Sequence, residues 1–256
     1  MLIVLSPAKR LDFTEADPSL PASQRRFVED TASLAKTARR QTRADLRRLM
    51  SISDDLAKLN AERFKAFDAE SLEGVQAAFA FAGDVYEGLH ARDLDTPALG
   101  WAQDHVRILS GFYGLLRPLD RIQPYRLEMG TRLKTRRGAN LYDFWGDRLS
   151  KQLNADAEGQ ADPTLVNLAS QEYFGAVDAR ALKLPVVTPV FREERDGEAR
   201  VISFFAKKAR GAMARFAIDE RVERAEDLKA FDRDGYRFDK AASTDAEWIF
   251  IRPGNS

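Results

Sequence analysis

Residues Leu2–Leu5 form a continuous apolar run that closes at Ser6 and Pro7. A run of this length, bounded by a turn signal, is typical of a strand buried inside a sheet. Short β-branched or aromatic runs return at 165–169, 185–191, 201–206, 236–239 and 247–252. These runs predict further strands, with the last two as a closing antiparallel pair. The dipeptide Asp196-Gly197 predicts a hairpin, with a loop longer than two residues because charged residues flank it.

The N-terminal half has the composition of helices. Residues 24–50 and 54–69 are rich in Ala, Leu, Arg, Lys and Glu, which favour helix, and Ser53 is placed to cap the second segment. Helices are also predicted from about Pro97 to Leu109 and over 141–155. No repeat or Pro/Gly/Ser-rich linker separates these elements. The sequence therefore predicts one α/β domain over 1–256, with a mixed sheet and surrounding helices.

Composition excludes several classes of protein. The chain has no cysteine, which excludes disulfides, thiol-based peroxide chemistry and sulfur-ligated metals. Glu87 and His90 form one E-x-x-H, whereas di-iron centres use that motif twice, so we expect no metal. Walker and dinucleotide-binding glycine patterns are missing, so we expect no cofactor. No apolar run reaches the roughly 18 residues that span a membrane, and the start lacks the basic region of a signal peptide. We therefore expect a cytoplasmic protein without a membrane segment.

Residues 107–137 concentrate positive charge. The segment has eight Lys and Arg against two Asp and Glu, within a chain of zero formal net charge. Its Ser110–Gly114 stretch fits a helix, a tight turn and a second helix. Glycines let backbone amides approach a phosphate closely, and flanking arginines would extend the contact. The alternative is a turn that packs its aromatic side chains into the core while the arginines are solvated.

A proline-rich connection follows this turn and carries Arg117 and Arg126. Proline makes such a loop rigid, and rigid loops with Arg, Tyr and Glu suit a binding site. Tyr125 is placed to stack on a base while Arg126 reaches a phosphate. The alternative is that Arg126 and Glu128 form a structural ion pair.

Two further basic groups come directly after predicted strands. Lys9 follows the first strand, and Lys207, Lys208 and Arg210 follow the strand predicted at 201–206. Lysines at a helix N-terminus oppose the helix dipole, which indicates an anionic ligand; the alternative is a solvated helix face. Sites in α/β sheets lie at the carboxyl ends of strands, so we expect one positively charged cleft. The candidate DNA- or phosphate-binding residues are Lys9, Ser110, Gly111, Gly114, Arg117, Arg126, Lys207, Lys208 and Arg210.

Five blocks of the sequence also point to a known family. They are LIVLSPAK, SGFYGLLRPLDRIQPYRLEMG, LYDFWGDRL, NLASQEYF and ISFFAKKARGAMARF. Together they resemble the YaaA family of peroxide-stress proteins, from residue 2 to about residue 252. The resemblance implies a cytoplasmic protein of the hydrogen peroxide response that limits intracellular iron and protects DNA. It also implies a DNA-binding α/β fold with a positively charged cleft and a helix-hairpin-helix element, which carries over best to Ser110–Gly114.

Two main functions remain open. The first is binding of duplex or structured DNA through its phosphates, with weak sequence preference. The second is an enzyme that acts on a nucleotide or another phosphorylated small molecule, with Glu128, Glu172 and Tyr173 as acid–base or positioning groups. A closed pocket of small-molecule size would favour the enzyme, and an open groove of duplex width would favour DNA. The residues favour binding over catalysis without excluding a reaction, and a protein-interaction surface on the basic N-terminal helices is a third option.

Overall fold

The structure is a computed structural model that describes residues 1–14, 20–195 and 197–253. Its strands are β1 (Leu2–Leu5), β2 (Arg10–Leu11), β3 (Val75–Gln76), β4 (Phe81–Ala82), β5 (Val106–Ser110), β6 (Gly114–Leu116), β7 (Arg121–Ile122), β8 (Leu165–Leu168), β9 (Val186–Arg195), β10 (Glu198–Arg200), β11 (Arg237–Asp239) and β12 (Glu247–Pro253). Its α-helices are α1 (Val28–Ala38), α2 (Arg43–Met50), α3 (Asp54–Ala66), α4 (Ala77–Ala80), α5 (Asp84–Leu89), α6 (Thr96–His105), α7 (Leu141–Trp145), α8 (Arg148–Asp156), α9 (Gln171–Phe174) and α10 (Ser203–Asp219). Among the described residues, no helix is both long enough and apolar enough to cross a membrane.

Eight strands form the main sheet, in the order β11-β12-β9-β8-β1-β5-β6, with β10 paired to β9. The neighbouring strands β5, β1, β8, β9 and β12 are parallel, whereas β6, β10 and β11 pair antiparallel with their neighbours. Numbered along the chain, the parallel strands have the order 2-1-3-4-5 of one class of doubly wound sheet. The chain thus adds β5 on one side of β1 and the later strands on the other. The predicted α/β class with a mixed sheet is confirmed.

Burial along the strands explains why these segments pair where they do. All four residues of β1 and all four of β8 are buried, as expected for strands inside a sheet that is covered on both faces. In β9 every second residue from Val187 to Glu193 is buried, which is the period of a strand with one face covered. Buried apolar side chains from Met1 to Phe250 form one cluster.

Local signals fix several helix ends. Ser53 caps α3 by accepting a hydrogen bond from the Leu56 amide at 3.3 Å, so the predicted cap is confirmed. Pro97 lies in the first turn of α6, as predicted. That helix ends at His105 rather than near Leu109, because the next residues enter the sheet as β5 beside β1. The helix predicted over 141–155 is divided into α7 and α8 at Gly146, whose φ of 52° interrupts helical geometry.

The helix-hairpin-helix expected at Ser110–Gly114 is wrong, because this stretch is the turn of a β-hairpin. Ser110 ends β5 and pairs with Gly114 at the start of β6. Gly114 has a φ of 75°, a left-handed conformation that glycine adopts without strain. A glycine turn between two apolar runs fits both a helix-hairpin-helix and a β-hairpin. The pairing of β5 with β1 places the first run in the sheet, so the β-hairpin forms.

Most of the segment 201–206, predicted as a strand, is instead the beginning of α10, which starts at Ser203. The buried positions of this helix include Ala206, Ala209, Met213 and Ala217, which recur every three or four residues as a helical face requires. The strand that follows β9 is β10, at Glu198–Arg200. The β-branched and aromatic residues of this run favour a strand, but the run continues into an alanine-rich segment with helical spacing, and the helix forms.

The β9–β10 hairpin forms at the predicted place, although its loop is shorter than expected. Arg195 pairs with Glu198, so two residues separate the strands. Asp196 lies outside the described residues, and Gly197 has a φ of 78°. A two-residue hairpin loop needs a residue in the left-handed conformation, which glycine adopts easily. This preference decides the loop length despite the charged residues on either side. The closing pair of β11 and β12 is confirmed.

Two glycines allow α5 and α10 to pack with their backbones in contact. A Cβ added at Gly88 would lie 2.0 Å from the Lys208 carbonyl oxygen. A Cβ added at Gly211 would lie 1.7 Å from the Val85 carbonyl oxygen. Any side chain at either position would force the helices apart. This close approach sets the position of the first half of α10, which carries Lys207 and Arg210.

Candidate functional site

A cavity of about 450 Å³ lies at the carboxyl ends of β1 and β8. The residues that line it are Ser6, Pro7, Ala8, Lys9, Arg10, Ala82, Gly83, Asp84, Val85, Ser170, Glu172, Tyr173, Lys207 and Arg210. They come from the loop after β1 and the start of β2, from the end of β4 and the start of α5, from the loop after β8 with α9, and from α10. In sheets with the strand order 2-1-3-4-5, ligands bind at the point where the order reverses. The cavity occupies that point.

Two serines join the loops that follow β1 and β8. The Ser6 hydroxyl oxygen accepts a hydrogen bond from the Ser170 amide at 2.9 Å and donates to the Ser170 hydroxyl at 3.3 Å. The Ser6 carbonyl oxygen accepts a hydrogen bond from the buried Tyr86 hydroxyl at 3.0 Å. Segments 164 residues apart in the chain are thereby held together at the floor of the cavity.

Glu128 lies between two cations in a narrow recess beside the cavity. Its Oε1 accepts a hydrogen bond from Arg126 Nε at 3.0 Å and is 3.8 Å from Lys9 Nζ. Its Oε2 is buried and has no hydrogen-bond partner among the described residues. The structural ion pair of Arg126 and Glu128, the alternative to phosphate binding by Arg126, is therefore present. An unpartnered buried carboxylate oxygen is costly, and a donor on a ligand would satisfy it.

Glu172 and Tyr173 enter the cavity from the short helix α9. Glu172 Oε1 accepts a hydrogen bond from the Gly130 amide at 2.9 Å, which fixes the carboxylate against the loop that carries Glu128. Tyr173 is 9% exposed. Burial, followed by the charges of Glu172 and Glu128, raises the pKa of the Tyr173 hydroxyl well above its ordinary value. Tyr173 therefore stays protonated and serves as a hydrogen-bond donor rather than as a base.

Lys207 and Arg210 face the cavity from adjacent turns of α10. Lys207 Nζ is 3.5 Å from Asp84 Oδ2, at the start of α5. Arg210 is half-buried and makes no ion pair or hydrogen bond with another described residue. Burial lowers the pKa of its guanidinium, although an arginine remains charged at neutral pH.

Lys208 points away from this cavity. It lines a separate cavity with Gly88, His90 and Arg215 on the other side of α10. Adjacent residues on a helix differ by about 100° in direction, so two neighbouring lysines cannot both face one site. Of the predicted lysines, Lys9 and Lys207 are brought together and Lys208 is not.

Ser110, Gly111 and Gly114 are buried and their polar groups are used inside the protein. The Ser110 hydroxyl is 2.7 Å from the Tyr125 hydroxyl and accepts the Tyr113 amide at 3.0 Å. The Gly111 carbonyl accepts a hydrogen bond from Trp145 Nε1 at 3.1 Å. A Cβ at Gly114 would lie 2.7 Å from the Trp145 ring. This geometry does not present the turn to a phosphate, and it matches the alternative of a turn packed into the core.

The basic segment 107–137 is not one continuous surface. Tyr125 is 5% exposed and packs against Phe112, so it does not offer its ring to a base. Arg117 is held by Asp120 and by the Gln24 carbonyl, and it does not line the cavity. Within this segment, ion pairs join Arg107 to Asp156, Arg117 to Asp120, Arg126 to Glu128 and Arg137 to Asp30. Arg126 and Glu128 are the members that reach the site.

The cavity also contains residues that were not among the predicted site residues. Arg10 follows Lys9 and its Nη2 is 3.7 Å from Glu87 Oε1. Ser170 could have been found by the rule that named Lys9, because it comes one residue after the predicted strand at 165–169. Asp84 has no such signal in the sequence, since the close packing of α5 on α10 brings it to Lys207.

Both signs of charge therefore line the cavity, and the expected excess of positive charge across the whole cleft stays a prediction. The described residues contain no group of three or more His, Asp or Glu side chains placed to hold a metal ion. The volume of the cavity is in the range of small-molecule sites, about 300–1,000 Å³. A small molecule therefore fits inside the cavity.

Comparison with known proteins places the chain in a family. The family described as "Peroxide stress protein YaaA" matches residues 1–242. The chain is 66% identical over 253 residues to a UPF0246 protein of Caulobacter vibrioides, with 99% of each chain covered. It is also 66% identical over 253 residues to one from Phenylobacterium zucineum, with 99% of this chain and 95% of the relative covered. A UPF0246 protein of Ruegeria pomeroyi is 55% identical over 255 residues, with 99% of each covered. The chain belongs to the peroxide stress protein YaaA family.

Proposed function

We propose that this protein binds DNA phosphates in the cytoplasmic response to hydrogen peroxide, and that it limits oxidative DNA damage and intracellular iron. Family membership supports the part of the proposal that concerns peroxide stress. The sequence blocks that resemble YaaA proteins support DNA binding and the limitation of iron. The chemistry of a thiol peroxidase is excluded because the chain has no cysteine.

Three exposed cations at the mouth of the cavity carry the proposal. The side chains of Lys9, Arg10 and Lys207 are 68%, 72% and 51% exposed. Each is 3.5–3.8 Å from a carboxylate of its own protein, and exposed pairs of this kind contribute only about 0–1 kcal/mol. Phosphates can therefore replace these carboxylates at little cost. This set keeps Lys9 and Lys207 from the residues expected from the sequence and adds Arg10. It leaves out the buried Ser110–Gly114 turn, the ion-paired Arg117 and Arg126, Lys208 on the other side of α10, and the half-buried Arg210.

The salt dependence of DNA binding tests this proposal. Three phosphate contacts predict a slope of about −2.7 in log K against log salt, or about 40-fold weaker binding at 200 mM than at 50 mM salt. Fluorescence anisotropy with a labelled duplex measures both quantities. Lys207→Ala should reduce the magnitude of the slope by about one, with the same effect on unrelated sequences.

Lys208→Ala is the matched control. It removes the same charge from the adjacent position of the same helix, but from the side that faces the other cavity. We expect Lys208→Ala to leave the slope close to that of the unmodified protein. Equal losses in the two variants would contradict the assignment of the cavity mouth, and an affinity independent of salt would contradict phosphate binding altogether.

The enzyme hypothesis has its own support in the volume and position of the cavity. A cavity of about 450 Å³ at the carboxyl ends of β1 and β8 suits a nucleotide or another phosphorylated small molecule. In such a reaction the protonated Tyr173 hydroxyl would donate a hydrogen bond. The carboxylates of Glu128 and Glu172 would position the substrate or accept a proton from it. Turnover of phosphorylated compounds, followed by ³¹P NMR, tests this candidate. Product formed by the unmodified protein and lost in Glu172→Gln would support it, and unchanged spectra would contradict it.

A further inference from the structure

Arg210 is a half-buried charge without a partner among the described residues. It lines the cavity, and no described residue forms an ion pair or hydrogen bond with it. Removing a cation from water without pairing it costs free energy, which an anion bound beside it would return. The backbone of Arg210 belongs to α10, whose neighbouring Ala209 and Met213 lie in the core. The guanidinium keeps its hydrogen-bond donors available to a ligand.

The charges around the cavity favour an anionic ligand beside Arg210. Among the described lining residues, the cations are Lys9, Arg10, Lys207 and Arg210, and the carboxylates are Asp84 and Glu172. Lys9, Arg10 and Lys207 each lie 3.5–3.8 Å from a carboxylate, whereas Arg210 lies beside none of the described residues' carboxylates, and a phosphate monoester carries about −1.5 to −2 at neutral pH. Lys207 and Arg210 are three residues apart and so occupy the same side of α10. Arginine binds phosphate oxygens with two parallel donors, and lysine adds a point charge.

Hydrogen-bond acceptors within the same cavity indicate what carries the phosphate. Glu172 uses Oε1 for the Gly130 amide, and its second carboxylate oxygen makes no hydrogen bond with a described residue. Ser6 and Ser170 bring hydroxyl groups to the floor. Carboxylates in a cavity of this size accept hydrogen bonds from hydroxyl groups of a bound compound. A cavity of about 450 Å³ is also much larger than one phosphate requires.

We propose that the cavity binds the phosphate monoester of a hydroxyl-bearing compound, a sugar or a nucleoside, with Arg210 and Lys207 on the phosphate and Glu172 on a hydroxyl. This inference rests on the second candidate function and names its ligand class. Lys207 would serve both the DNA at the mouth and the ligand inside, whereas Lys9 and Arg10 belong to the DNA proposal. Arg210, the half-buried member, distinguishes the two sites.

Isothermal titration calorimetry with paired probes tests the proposal. The probes are AMP and ribose 5-phosphate, each compared with its unphosphorylated counterpart, adenosine or ribose. At least one phosphorylated probe should bind, and its counterpart should bind at least about tenfold more weakly, since it lacks the charged hydrogen bonds of the phosphate. Binding of AMP alone identifies a nucleoside ligand, and binding of both identifies a sugar phosphate.

Variants of α10 assign the binding to Arg210. Arg210→Ala should lower the affinity for the phosphorylated probe by about tenfold or more, because it removes a charged donor. Arg210→Lys keeps the charge but loses the two-donor geometry, and it should give an intermediate affinity. Lys208→Ala should have the affinity of the unmodified protein. Urea unfolding of each variant shows whether a loss of affinity comes from a loss of fold.

Three results would overturn the proposal: no binding of either phosphorylated probe at millimolar concentration, equal binding of the unphosphorylated counterparts, or equal affinities of folded Arg210→Ala and Lys208→Ala. Anisotropy with the labelled duplex, measured on the same samples, separates the two functions. If the unmodified protein binds a phosphorylated probe but not the duplex, the result contradicts the DNA proposal only. Retention of DNA binding without any response to the probes contradicts the cavity proposal only.

Discussion

Replacing Gly211 by alanine tests the packing that places α10 over the cavity. The added Cβ would lie 1.7 Å from the Val85 carbonyl oxygen and 2.9 Å from the Leu89 amide nitrogen. Ordinary contacts of a Cβ begin near 3.4 Å, so α5 and α10 would have to separate by about 1.7 Å. The opposing atoms belong to the backbone of α5, and no side-chain rotation can relieve the overlap.

The expected loss of stability follows from two opposing effects. Forcing a methyl group into a filled interface costs about 1–3 kcal/mol. Alanine in place of a helical glycine returns about 0.5–1 kcal/mol, because the unfolded chain loses less freedom. Since the overlap is with backbone atoms, we expect the upper part of the range and a net loss of about 2 kcal/mol. For a chain of this size that corresponds to a melting temperature lower by about 4–8 °C.

Urea unfolding followed by circular dichroism measures this difference. Gly100→Ala is the matched control, because Gly100 lies inside α6 and a Cβ there would have no heavy atom within 4 Å. That variant should be more stable than the unmodified protein by about 0.5–1 kcal/mol. If Gly211→Ala were as stable as Gly100→Ala, the reasoning from close helix contact would be refuted.

Two further substitutions have expected outcomes. Asp156→Asn should cost about 3–5 kcal/mol, because it leaves the buried Arg107 without its partner. Burial raises the pKa of Asp156, but the charge of Arg107 outweighs burial and holds that pKa below the ordinary 3.8. The urea midpoints of the unmodified protein and of Asp156→Asn should therefore differ fully above pH 3.8. This difference should shrink as the pH falls through the lower pKa that Asp156 has in the folded state. A difference that does not depend on pH would contradict this. Ser6→Ala should cost about 1–3 kcal/mol, because the Ser170 amide loses its acceptor. Ser170→Ala keeps the hydrogen bond from the amide of residue 170 to Ser6 and should cost less stability. A lower melting temperature for Ser170→Ala than for Ser6→Ala would contradict the role of Ser6.

Local signals made part of the fold predictable from sequence. The apolar run Leu2–Leu5 and the cap at Ser53 are decided by residues close in the chain, and both were predicted correctly. Lys9 was found because sites follow strand ends. These features need no information about distant partners.

Other features depend on contacts between distant segments. The turn at Ser110–Gly114 has glycines and aromatic residues that suit two motifs, and Trp145 closes over it from another part of the chain. Lys207 and Lys208 look equivalent in sequence, and the contact of Gly88 with α10 decides which of them faces the cavity. Ion pairing of Arg107 with Asp156 and of Arg137 with Asp30 likewise has no local signal, whereas the pair of Arg126 and Glu128, two residues apart, was one of the alternatives drawn from the sequence.

The link between Ser6 and Ser170 has a consequence for folding. The groups that would hold a ligand come from residues 6–10, 82–85, 170–173 and 207–210, so a partly folded chain cannot bind. Ser6 and Ser170 can meet only after a loop of 164 residues has closed. Sheets that pair strands so far apart in the chain fold slowly. A ligand would therefore stabilise the native state as a whole by mass action, and it would protect the amides of β1 and β8 from hydrogen exchange together.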